Sequence, residues 1–150
     1  MLEPVDVDYA SITKLNLSNK QLDVLPDLSM YINLRVLYCW NNKLTSLDNL
    51  PSSLKELYCW RNNITSLDKI PHGLLKLYCS FNNLTSLDNL PYGIKKLVCN
   101  YNQITSLNNL PQSLELLNCW YNPLIYNFKP TLTNILSYNS TRMNLTVKLN

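Results

Sequence analysis

The residues best equipped for chemistry are five cysteines, Cys39, Cys59, Cys79, Cys99 and Cys119, each twenty positions after the one before. Thiols in such numbers raise a metal centre or disulfides as candidates. The spacing argues against both. Parallel strands repeating at that interval would set the sulfurs in a line about 4.8 Å apart, which cannot give one zinc ion a tetrahedron of ligands. A disulfide needs converging Cβ vectors, which parallel neighbours lack. The expectation is therefore five buried, reduced thiols, with no metal and no cofactor. His72, the only histidine, stands beside Gly73 in a loop with no evident acid-base partner. Thr45-Ser46, Thr65-Ser66, Thr85-Ser86 and Thr105-Ser106 recur in phase, as turn-forming scaffold does and nucleophiles do not. Asp48, Asp68 and Asp88 form a carboxylate column that Asn108 interrupts, so a solvated face is expected before a calcium site. Catalysis is not expected.

The cysteines are one column of a longer repeat. Counting from the first leucine of each unit, position 1 is Leu34, Leu54, Leu74, Ile94 and Leu114, and position 4 is Leu37, Leu57, Leu77, Leu97 and Leu117. Cysteine takes position 6, Asn42, Asn62, Asn82, Asn102 and Asn122 take position 9, and Leu44, Ile64, Leu84, Ile104 and Leu124 take position 11. An earlier unit begins at Ile12 and runs through Leu15, Leu17 and Leu22, with Lys20 where Asn is expected. Positions 4 and 6 share one face of an extended strand, and 3, 5 and 7 the other. No twenty-residue unit can bury its own leucines, so units must stack and their strands must form a parallel sheet. Asn at position 9 falls where each strand turns, and its amide can satisfy buried backbone groups on both sides, which predicts a vertical Asn ladder. Pro51, Pro71, Pro91 and Pro111 follow the return leucines and disfavour helix, so the convex side is expected to be extended or 3-10.

The wording LPxxLxxLxCxxNxLTSLxxLP resembles the leucine-rich-repeat family in its short, twenty-residue form. It is similar to repeats of bacterial secreted effectors and of giant amoebal viruses, and it covers about three quarters of the chain. The resemblance implies an α/β solenoid, a horseshoe whose concave parallel sheet recognises partners, and hence a viral or effector protein acting on host proteins. Residues 1–11 are read as an N-terminal cap, 12–124 as six repeats, and 125–150 as a degenerate repeat and C-terminal cap. Val5, Val7 and Tyr9 alternate like a strand, and so do Met143, Leu145, Val147 and Leu149, which predicts a strand at each end. A helix starting near Pro130 is the competing reading for the second, since Leu132, Ile135 and Leu136 also fit helical spacing.

Composition narrows the partner. The chain has 150 residues, 46% hydrophobic and 15% charged, with a net charge of +3, too mild for a dedicated nucleic-acid binder. The acidic opening lacks the pattern of a secretory signal, and no apolar run is long enough to span a membrane, so a cytoplasmic location is expected, the host's if the protein is viral. The Asn-x-Ser/Thr triplets at Asn16, Asn63, Asn83, Asn139 and Asn144 are discounted as glycan acceptors on the same ground. The outward positions carry the functional expectation. Tyr38, Tyr58 and Tyr78 take position 5, Trp40, Trp60 and Trp120 position 7, and Arg61, Phe81, Tyr101 and Tyr121 position 8. Together they predict one concave patch with the composition of a protein-binding hot spot. Two other readings stay open: the rings stack across strands and stabilise the sheet, or Arg35, Lys55, Lys76, Lys95 and Lys96 beside them suit single-stranded nucleic acid. Self-association through the sheet or an end strand is the third class.

Overall fold

The computed structural model describes the chain from residue 8 to residue 148. Six strands make one parallel sheet in sequence order: β1 (Lys14–Asn16), β2 (Val36–Tyr38), β3 (Glu56–Tyr58), β4 (Lys76–Tyr78), β5 (Lys96–Val98) and β6 (Leu116–Asn118). The register is uniform. Leu15, Leu37, Leu57, Leu77, Leu97 and Leu117 stand side by side, so the sequence period maps one unit onto one step of the sheet. Each strand is three residues long because position 6 already begins the turn that carries the chain away from the sheet.

The core is a single row of stacked layers. Positions 1, 4, 6 and 11 of the inner units are fully buried, as Leu54, Leu57, Cys59 and Ile64 illustrate, and the return leucines Leu47, Leu67, Leu87 and Leu107 close it from the convex side. Cys39, Cys59, Cys79, Cys99 and Cys119 are all free and buried. Between the units the convex chain is extended with isolated turns. The Pro51, Pro71, Pro91 and Pro111 carbonyls each accept from the N–H three residues on, at 3.1 Å.

The asparagines form the expected ladder. Asn82 Nδ2 donates to the carbonyls of Cys59 and Cys79, both at 3.1 Å, while its Oδ1 accepts from Ile64 N–H at 3.0 Å. One amide thus satisfies backbone groups of its own unit and of the unit before. Asn62, Asn102 and Asn122 repeat the arrangement, and Asn42 applies it to the first unit through Leu17, Lys20 and Leu22.

The ends differ from the strands read in the sequence. Val5, Val7 and Leu149 lie outside the described residues. Tyr9 opens a 3-10 turn, Tyr9–Ser11, capped by the Asp8 carboxylate accepting from Ala10 N–H at 3.1 Å. At the other end the capping strand is replaced by a helix, α1 (Leu132–Lys148), so the helical spacing of Leu132, Ile135 and Leu136 prevails over the alternation of Met143, Leu145 and Val147. Ile135 is fully buried, with Leu132 and Leu136 packed beside it on the core. A helix can close the core here because it pairs its own backbone and offers an apolar stripe to the last leucine layer. Among the described residues no helix is long and apolar enough to cross a membrane.

Candidate functional site

On the outward face of the sheet the aromatic columns stack. The Tyr58 ring lies 4.7 Å from Tyr38 and 4.5 Å from Tyr78, nearly parallel to both. Trp40 and Trp60 stack at 5.3 Å, and Trp60 meets Tyr58 edge-on at 6.0 Å, which joins columns 5 and 7. These five rings are half-buried, largely against one another. The strand-to-strand spacing of a parallel sheet is what brings identical columns to stacking distance.

Column 8 behaves differently. Arg61, Phe81, Tyr101 and Tyr121 have φ of 55°, 55°, 54° and 57°, in the left-handed region. They belong to the turn that ends each strand and not to the strand face expected for them with columns 5 and 7. In the first two units the same position holds Asn19 and Asn41, residues that tolerate the left-handed conformation because their amides bond locally. Arg, Phe and Tyr have no such compensation, so each costs roughly 1 kcal/mol of backbone strain. Strain retained in register at four successive turns projects a second ladder outward. Phe81 stacks on Tyr101 at 4.3 Å, Tyr101 on Tyr121 at 4.2 Å, and the Arg61 guanidinium lies over Phe81 at 5.7 Å. The ladder's rings are exposed: 44% for Phe81, 42% for Tyr101 and 71% for Tyr121, with Trp120 nearby in sequence at 45%. The single expected patch is thus two linked groups, a half-buried one of Tyr38, Trp40, Tyr58, Trp60 and Tyr78 and an exposed one toward the C-terminal end.

The charges around the rings are engaged within the chain. Lys76 Nζ contacts Glu56 Oε1 at 2.8 Å, and Tyr58 OH donates to Glu56 Oε2 at 2.8 Å. The hydrogen bond from Lys76 lowers the Glu56 carboxyl below its ordinary range, and burial followed by that same carboxylate raises the Tyr58 phenol. Lys95 pairs with Glu115 at 2.8 Å, Arg35 donates to Ser53 O at 3.1 Å and Lys55 to Gly73 O at 3.2 Å. Lys96 lies over Tyr78 at 5.4 Å, and Lys129 over Trp120 at 5.6 Å. Nothing in the repeat pattern announces Lys129, since it comes from the segment leading to α1.

The remaining candidates for chemistry are placed as follows. Burial raises the thiols of Cys39 and Cys79 to about 12 and that of Cys119 to about 11, and pushes those of Cys59 and Cys99 up as well. Thiols so shifted are protonated at neutral pH and poor nucleophiles or metal ligands. His72 lies on the convex side, in a groove of about 620 Å³ shared with Asp68, Asp88, Tyr92 and Asn139 of α1. No repeat spacing points to this concavity, because α1 supplies one wall. Its carboxylates are spoken for: Asp68 accepts from Asn89 Nδ2, and Asp88 from Asn109 Nδ2 at 2.8 Å. The column Asp48, Asp68, Asp88 thus ties each unit to its neighbour from Asp68 on, while Asp48 accepts from Ser46 at 2.6 Å.

No protein-family model matches the chain, and neither does any curated protein. Solved structures do. The leucine-rich-repeat domain of a Shigella effector is 34% identical, with a TM-score of 0.71, across 77% of this chain and 52% of its own. YopM from Yersinia enterocolitica WA-314 is 30% identical, with a TM-score of 0.61, across 83% of this chain and 33% of its own. The chain therefore spans about half the length of the first and a third of the second.

Proposed function

The chain is a leucine-rich-repeat protein, and from that premise we propose that it is a non-catalytic binding module that recognises a protein through the aromatic face of its sheet. The observation that carries this reading is the exposed ladder of Phe81, Tyr101 and Tyr121, with Trp120 and Arg61 beside it, held on strained turns that Asn occupies at lower cost elsewhere in the same column. Exposed stacked rings flanked by a guanidinium have the composition of an interface centre. Tyr38, Trp40, Tyr58, Trp60 and Tyr78 extend the surface toward the N-terminal units and make it rigid, so little side-chain entropy is lost on binding.

Single-stranded nucleic acid is the weaker reading, because Lys76, Lys96, Arg35 and Lys55 already serve partners within the chain. The likeness to effector domains favours a protein of another cell as the target, so the reading includes a viral or effector role. It sets the protein in a cytoplasm, the host's in that case, where the buried thiols stay reduced. The test is to capture a partner from cell lysate on the immobilised chain and to measure its binding across salt concentration. A protein target loses affinity modestly, whereas nucleic acid loses it steeply as counterions are released.

A further inference from the structure

The two ends of the solenoid are not closed alike at the core and at the sheet. Leu132, Ile135 and Leu136 of α1 cover the last layer of leucines, but the sheet stops at β6. In the inner units the outward backbone groups meet the next strand: Arg35 O accepts from Lys55 and Glu56 N–H, both at 2.9 Å, Cys39 N–H donates to Tyr58 O at 2.9 Å, and Asn41 N–H donates to Trp60 O at 3.0 Å. Their counterparts at β6, Glu115 O, Cys119 N–H and Tyr121 N–H, meet no protein partner among the described residues. The side chains there also break with their columns. Position 3 carries Glu56, Lys76 and Lys96 in the three preceding units and a buried Val36 before them, whereas Leu116 is apolar and 41% exposed, with Tyr121 and Ile125 exposed further along.

We propose that this edge is a self-association surface: two copies of the chain pair β6 with β6 antiparallel about a two-fold axis at Leu117, which fuses their sheets into one. An isologous contact requires a self-complementary patch, and this one is. Leu117 presents both its N–H and its C=O outward, so the axis makes it a reciprocal hydrogen-bonded pair, and Cys119 N–H of each copy then faces Glu115 O of the other. Leu116 of each copy lies across from Asn118 of its mate, and both Leu116 side chains are removed from water on the same face.

Charge selects the antiparallel arrangement. It lays the Glu115 end of one strand beside the Trp120 end of the other, where Lys129 stands over the indole with no carboxylate against it among the described residues. Glu115 is available, because its pair with Lys95 is exposed on both sides and worth little. Parallel pairing of two β6 strands would instead set Glu115 beside Glu115. This association does not depend on the aromatic face as a binding site, since Leu116, Glu115 and Lys129 are not among the residues proposed to bind a partner.

The test is sedimentation of the full chain by analytical ultracentrifugation from micromolar to millimolar concentration, with amide exchange measured at both limits. The expected result is a monomer–dimer equilibrium in which Leu117 and Cys119 amides become protected as dimer forms. Glu115→Lys and Lys129→Glu should each weaken the dimer about three- to ten-fold, and the double variant should restore it, since two symmetry-related pairs are exchanged. All three keep the native circular dichroism spectrum, as the positions are exposed. A chain that stays monomeric throughout overturns the proposal, and so does a dimer that leaves those amides unprotected or ignores the charge swap.

Discussion

Tyr121→Asn separates the surface from the core more cleanly than any deletion of a ring to alanine. The substitution removes one stacking contact, the 4.2 Å pair with Tyr101, from a ring that is 71% exposed. Such a pair is worth about 0.5–1.5 kcal/mol. Against that, Asn relieves a left-handed φ of 57° that costs an ordinary residue roughly 1 kcal/mol, as Asn19 and Asn41 do in the same column. The two terms nearly cancel. The reference is Leu57→Ala, a fully buried side chain whose loss leaves a cavity and costs roughly 2–5 kcal/mol. For a chain of this length that corresponds to a melting point lower by roughly 4–20 °C. Tyr58→Ala should fall between, because it forfeits stacks on both sides and the hydrogen bond to Glu56. Thermal melting followed by circular dichroism ranks the three. If Tyr121→Asn melts as low as Leu57→Ala, the second ladder is core and the assignment of column 8 to a surface is wrong.

Three further outcomes follow from the packing. Asn82→Ala strands the carbonyls of Cys59, Cys79 and Ser80 and the N–H of Ile64 in the interior, and should cost roughly 3 kcal/mol in denaturant titration; an unchanged midpoint would mean water replaces the amide freely. The raised thiols make stability pH-dependent on the alkaline side. The unfolded chain releases thiol protons from about 9.0, while folded Cys39 and Cys79 hold theirs to about 12 and Cys119 to about 11, so the thiols' contribution to stability should be flat below 9.0 and fall from there upward. A series with the cysteines replaced by alanine starts from a lower stability and should lose the decline that sets in at about 9.0, keeping only the later one that the raised Tyr58 phenol contributes from about 10.0. Finally, Ile135→Ala opens the capped end and should cost roughly 2–5 kcal/mol, and removing residues 125–150 should drive aggregation; a truncated chain that melts normally would show that α1 is dispensable.

What could be read in the sequence was whatever repeats. The strands, their register, the buried cysteine column and the Asn ladder each rest on six or five copies of one pattern, so a local ambiguity in one unit is settled by the others. The ends have no such redundancy. Met143, Leu145 and Val147 alternate like a strand while Leu132, Ile135 and Leu136 space like a helix, and only the need to cover the last leucine layer decides between them. Column 8 is hard to place from its residues because Phe, Tyr and Arg argue against a left-handed turn, and Asn19 and Asn41 in the same column are the one signal for it. The convex groove and the Lys129–Trp120 contact arise from α1 folding back on the array, which no periodicity encodes.

Whether a protein partner binds the exposed ladder is decided by quantitative capture from host-cell lysate on immobilised wild-type chain and on the Tyr101→Asn/Tyr121→Asn variant side by side, each first shown to melt alike. Binding at the ladder requires a specific protein to be retained by the wild-type chain at moderate salt and lost by the variant. Equal retention by both, or a capture that consists of nucleic acid and disappears as salt rises, would contradict it.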